Sequence, residues 1–299
     1  MKIERLGLII GKGANPEYGG NINGPCCILA PETSRSKFGK FFLYFSSHSS
    51  KAIKLAFSNQ IAGPWRIYDD KVLDLKGYKD AYDHIASPDV FKDNENKLRM
   101  YFHARSRSRG REQWTYAAVS TDGINFEPLV DSPLAPFYMR IFYFRGEYYG
   151  ITKGGNIWRS RDGLSAFEQG INLFDHSLSE EIWHNSSPSV RHLALDFEEE
   201  ERLKIYFSRI GDFPERILET NVCLSPKDWN KWKVTEIREV IRPEEYYEGS
   251  GYKVRTSSSG PSIEEENALR DPYLFKYRNK KYLFYTVCGE YGIAVCELG

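Results

Sequence analysis

One short pattern recurs along the chain and limits what it can fold into. A polar opening, usually carrying Pro, is followed by two aromatic or β-branched strands joined by a polar turn. The last copy is the clearest: Arg270-Asp271-Pro272 leads into Tyr273 to Tyr277, a turn at Arg278-Asn279-Lys280, and a return strand from Tyr282 to Val287. Pro has no N–H and suits the first residue of a strand, so Arg270 and Asp271 are expected at a strand mouth. Gly24-Pro25, Ser87-Pro88-Asp89 and Ser187-Pro188 open similar strand pairs, and Tyr138-Met139-Arg140 opens another without Pro. The units begin near residues 24, 87, 138, 187 and 271. Irregular repeats of strand pairs with a fixed opening predict an all-β, five-bladed β-propeller.

Each unit adds a third strand, and most a fourth, across turns such as Thr121-Asp122-Gly123 and Arg161-Asp162-Gly163. Asp-Gly between strand-like runs is a strong turn signal. The fifth unit ends after three strands, at Ile293 to Glu297, while the strand Ile3 to Ile10 belongs to no unit. Pairing these two would complete the last blade and close the ring, leaving no open edge. Residues 1–299 are therefore expected to form a single domain.

Lys plus Arg and Asp plus Glu are 41 each, so no overall charge draws the chain to nucleic acid or membrane. The apolar run at the N-terminus is too short for a signal peptide or a span. Five cysteines, two of them adjacent (Cys26 and Cys27), make neither a disulfide framework nor a CxxC metal site. These features point to a cytoplasmic protein from a reducing compartment, with no cofactor and no metal.

A four-stranded blade is an up-and-down meander, so the direction of each loop follows from strand order. The strand mouths, the second-to-third connections and the blade-to-blade connections share one face. That face collects 46–51, 103–113, 152–156, 208–216 and 288–291, together with 76–84, 174–185 and 244–267. His84, His103 and His184 map there, whereas the acidic and basic hairpin tips lie opposite. The stretch from Val240 to Leu269, with its glycines, serines and glutamates, reads as a functional or mobile loop within the domain.

With its openings Asn23-Gly24-Pro25, Ser87-Pro88-Asp89, Ser187-Pro188 and Arg270-Asp271-Pro272, the chain resembles the five-bladed propellers of glycoside hydrolase families 43 and 32 over essentially its whole length. The resemblance implies a central funnel with two or three carboxylates, one a general acid and another a base or nucleophile. It also locates departures. The first mouth has Asn23 and Gly24 where an Asp is implied, the fourth reads Ser186-Ser187-Pro188, and Asp89 follows its Pro instead of preceding it.

The resulting expectation is a carbohydrate-active enzyme, a glycosidase-like hydrolase or transferase, acting in a central funnel on a small, in one reading anionic, glycoside or an oligosaccharide. Asp271 is its central carboxylate, with a second acid among Asp89, His184 and Glu266. Asn23, His84, His103, Arg140, Arg209, Arg270 and Glu290 are the candidate substrate-holding residues, Arg being suited to carboxylate or phosphate. A non-catalytic carbohydrate-binding propeller and a glycoside phosphorylase are the alternatives. Arg105, Arg107, Arg109 and Arg111, alternating in one loop of the shared face, favour an anionic sugar if they are not paired with nearby glutamates.

Overall fold

The computed structural model describes residues 2–93, 95–174, 189–199 and 201–299. Among them, five antiparallel sheets form a ring. The first blade runs Asn23–Leu29, Phe41–Ser46, Ala52–Ser58 and Arg66–Ile67, with the short strand Leu73–Asp74 also pairing with Ala52–Ser58. The second has Ala81–Lys92, Leu98–Ser106, Gln113–Ser120 and Glu127–Val130. The third has Arg140–Phe144, Glu147–Ile151, Asn156–Ser160 and Glu168–Asn172, and the fourth Ser189–Glu199, Arg202–Ile210, Ile217–Cys223 and Arg238–Ile241. The fifth contains Arg270–Tyr277, Lys280–Val287 and Gly292–Leu298, and is completed by Ile3–Gly11.

Strands buried on both faces explain why the apolar runs are nearly continuous. Phe41–Ser46 is buried at every residue. Its side chains still alternate: Phe42 and Tyr44 pack with Met100 and Phe102 of the second blade. Phe41, Leu43 and Phe45 pack with Tyr282 and Phe284 of the fifth. The period of two thus divides each strand between two neighbouring blades. The Asp-Gly turns bolt blades together as well. Tyr44 donates to the Gly123 carbonyl and Tyr101 to that of Gly163, both at 2.7 Å, each reaching from the preceding blade.

The ring closes as the unpaired strands require: Ile3 faces Leu298 and Ile10 faces Ile293. Deleting residues 2–11 is expected to expose the edge of Gly292–Leu298 and to strip cover from the last blade. Loss of the buried Ile10 alone should cost about 1.5–3 kcal/mol. Scanning calorimetry and light scattering should show a lower Tm and self-association through the bared edge. A truncated chain that melts unchanged and stays monodisperse would rule this role out.

Four of the inner strands share a two-residue bulge at their mouth. The register skips between Asn23 and Cys26, between Ala86 and Asp89, between Val190 and Leu193, and between Arg270 and Tyr273. In the fourth blade the bulge falls on Arg191-His192, past Ser187-Pro188, which lie outside the described residues together with His184. Left-handed backbone marks the equivalent positions elsewhere: Gly24, Ser87, Tyr138 and Asp271, with φ of 60°, 51°, 56° and 48°.

Candidate active site: a histidine-lined axial funnel

These mouth residues surround a small cavity on the propeller axis, about 10 Å³, room for a single water. Gly24, Ser87, Tyr138, Met139, His192 and Asp271 are among its walls. Each blade therefore contributes, four of them at the bulge and the third through Tyr138 and Met139, just ahead of its first strand. Glycine is required in the first blade. A Cβ on Gly24 would lie 2.7 Å from the Ser87 Cα, so the position opposite Asp271 has no room for a carboxylate. Instead the Gly24 N–H donates to Asp271 Oδ2 at 3.2 Å.

Asp271 is 1% exposed and its other oxygen meets Nδ1 of His192. Burial opposes ionisation of this carboxyl, yet His192 and the Gly24 N–H together hold it below the usual range. Burial also lowers the His192 imidazole, against the pull of Asp271. A neutral ring beside a carboxylate places its proton on Nδ1 and leaves Nε2 as an acceptor. That Nε2 is buried and has no hydrogen-bond partner among the described residues.

Aromatic and imidazole rings continue around the funnel. Tyr138 packs edge-on against His192 at 4.1 Å between centroids, and against His103 at 4.5 Å. Nε2 of His103 lies 3.2 Å from Nε2 of His84, which stacks on His48 at 6.2 Å. His48 in turn contacts Glu290 at 3.0 Å. Burial pushes His84 down to about 4, helped by His48 and Arg105. It also drives His103 well below the ordinary imidazole range, with the neighbouring imidazoles adding to the effect. Among the described residues no group of three His, Cys, Asp or Glu side chains is arranged to hold a metal ion.

Beyond Asp271 the rim is an ion network. Arg270, 1% exposed, donates through Nε to Glu215 at 2.8 Å and through Nη2 to Glu266 at 2.9 Å, with Glu290 at 3.6 Å. Glu290 also accepts from Asn21 at 3.0 Å and from the Ser262 N–H at 3.2 Å. Burial would raise its carboxyl, but His48, Arg270 and Asn21 hold it far below its ordinary value. Glu215 is shared with Arg191, whose Nε lies 2.9 Å away and whose guanidinium binds the carbonyls of Ser258 and Gly260. The long loop after Val240 is thereby tied down over the funnel by its own serines.

The structure separates the residues singled out in the sequence. Asp271, Arg270, Glu290, Glu266, His84 and His103 gather around the funnel and its rim. Asn23 sits at the first mouth, its Oδ1 accepting from Ser46 at 2.8 Å. Arg209 pairs with Asp212 at 2.7 Å, within the fourth blade's connecting loop. Asp89 follows its bulge and lies one layer deeper, against Arg140, which opens the third blade's regular strand pair and lines the axial cavity from below. Arg140 lies 3.6 Å from Asp89, donates to the carbonyls of Pro88 and Leu193, and covers the Tyr273 ring. This layer divides the axial cavity from a second one, of about 130 Å³, toward the hairpin face. Residues missed in the sequence are His192, His48, Tyr138, Glu215 and Arg191. Two adjacent polar residues, Arg191-His192, inside an otherwise apolar strand were the available signal for a bulge.

The depressed histidines predict an acid-labile fold. Their folded values lie below the ordinary 6.5, so below that pH the unfolded chain takes up protons that the folded one refuses. Stability should be full above pH 6.5 and fall toward pH 4, by up to about 1.4 kcal/mol per pH unit for each such group. A Tm series from pH 8 to 4.5 checks this, with a shallower slope expected for His84→Gln; a flat profile would contradict it.

Comparison with known proteins narrows the family. No family model matches the chain. The uncharacterized protein R118 of Acanthamoeba polyphaga mimivirus is 34% identical, across 93% of this chain and 83% of R118. The chain belongs to the same family as R118. Solved structures share its fold at low identity. A putative glycoside hydrolase from Bacteroides ovatus ATCC 8483 matches with a TM-score of 0.68 and 13% identity, over 99% of this chain and 96% of that one. CoXyl43, a family 43 β-xylosidase/α-arabinofuranosidase from a compost microbial metagenome solved with xylotriose, gives 0.62 and 15%, over 100% and 94%. A structure from the GH130 family of mannoside phosphorylases, which contains glycoside hydrolases that target β-1,2 mannosidic linkages, gives 0.65 and 12%, over 93% and 84%. The fold is that of the glycosidase-like five-bladed propellers. No helix among the described residues is long and apolar enough to cross a membrane.

Proposed function

We propose that this protein is a glycosidase-like enzyme that binds a glycoside at the funnel mouth and moves protons through the His192–Asp271 pair. The observation that carries this reading is the buried, ionised Asp271 orienting an imidazole whose Nε2 is otherwise unpartnered. Asp271 accepts a hydrogen bond from Nδ1–H and, remaining ionised, stabilises the imidazolium that forms when Nε2 takes a proton from water or a sugar hydroxyl. A second carboxylate at the first mouth is excluded by Gly24, so the acceptor role passes to the histidine. Glycoside hydrolases of this fold supply the analogy for the substrate class.

Release of 4-nitrophenol from a panel of aryl glycosides, with and without inorganic phosphate, tests the reading. Turnover without phosphate supports hydrolysis, and turnover dependent on it supports phosphorolysis. A second reading, carbohydrate binding without catalysis, is favoured by the same Gly24. Sugar binding by calorimetry with no turnover of any glycoside would select it.

A further inference from the structure

A groove of about 560 Å³ runs beside the funnel between the second and third blades. One wall is the end of the second blade's hairpin, with Arg105, Arg111, Gln113 and Trp114; the other is Pro136-Phe137, leading into the third blade. Trp114 and Pro136 are joined by a β-bridge, so the two walls are held in register. Phe137 continues the groove into the funnel: its ring lies 5.7 Å from His103 and 4.9 Å from Tyr138. This volume suits one or two sugar units.

Cations outnumber carboxylates in the groove lining, and the loop that carries them is fixed in place. The Arg105–Arg111 loop is anchored on Asp80, which accepts from the Ser108 N–H at 2.8 Å and the Ser106 hydroxyl at 2.7 Å, and also binds Tyr116. Arg107 and Arg109 are spent on rings, Tyr82 at 4.5 Å and Trp114 at 4.6 Å. Arg105 and Arg111 face the groove. Among the described residues Arg105 has an ion pair with Asp83 alone, at 3.8 Å, a carboxylate that also contacts Lys51. Arg111 has no ion-pair partner among the described residues. Lys153 adds a cation over Phe137 at 5.2 Å, while Glu112 is the carboxylate in the lining. The Asp80 anchor fixes the loop backbone that carries the arginines, which lowers the ordering cost of binding an anion there.

We propose that this groove is a subsite for an anionic sugar unit, a uronate, sulfate ester or phosphate ester, with Arg105 and Arg111 on the anion and Trp114 and Phe137 along the ring. This assignment rests on the carbohydrate reading of the funnel but not on catalysis. Binding of the full chain to arrayed glycans, each present as a neutral form and as its uronate, sulfate and phosphate counterparts, tests it. Anionic forms should bind about fivefold tighter at low salt, and the preference should shrink at physiological salt. The double variant R105A/R111A should lose the preference, whereas Asp271→Asn should keep it, separating failure of the subsite from failure of the catalytic reading. Equal binding of matched pairs, no binding of any anionic glycan, or a preference that survives R105A/R111A overturns the proposal.

Discussion

Asp271→Asn is expected to lower turnover on the order of 10⁴-fold while leaving the fold intact. Asn tolerates the left-handed backbone at this position, where φ is 48°, and its Oδ1 can still accept from the Gly24 N–H. Its amide nitrogen, however, then faces His192 Nδ1. Two donors cannot meet, so the imidazole moves its proton to Nε2 and loses the acceptor that the reaction needs. Activity should therefore fall without recovery at higher pH, and the Tm should shift by only a few degrees. Full activity in the variant would remove Asp271 from the mechanism, and unfolding would make it an anchor of the first-blade turn.

Arg270→Met should have the largest effect on stability, about 3–5 kcal/mol. Arg270 is 1% exposed, and it neutralises Glu215 and Glu290, which are 1% and 0% exposed. Without the guanidinium, Glu290 retains His48 and Asn21, and Glu215 retains Arg191, so two buried carboxylates lose a shared cation. The strand mouth of the fifth blade also loses its ties to the fourth blade and to Ser262. Glu290, held low partly by Arg270, should titrate at a higher pH in the variant. Protonation then relieves the unpaired charge, so the deficit relative to wild type should narrow as pH falls. Urea denaturation at pH 7 and pH 5.5 measures both quantities. A variant within 1 kcal/mol of wild type at pH 7 would show that the network contributes little.

Much of the architecture is legible in the sequence, because it is local. Strand runs, Asp-Gly turns and the unpaired first strand depend on residues near in sequence, and a meander then dictates which loops share a face. The meander alone brings His84, His103, Arg270, Asp271 and Glu290 to one side of the ring. It also picked out the loops carrying His48 and Glu215, though not those residues.

What the sequence alone determined is the propeller, its closure by the first strand, and the polar face. Tertiary structure decided which side chains reach the axis. A bulge of two residues sets whether a polar group points into the funnel or sits a layer deeper, and a single strand hints at it only where adjacent polar residues interrupt the apolar run, as at Arg191-His192. Asp271 lies on its bulge and lines the cavity, while Asp89 lies past its own and pairs with Arg140 beneath the floor. His192 occupies the bulge of a strand without proline, where composition alone reads as core. Close approach of two blades admits only glycine at residue 24, and that contact between distant segments leaves Asp271 with a histidine for its partner.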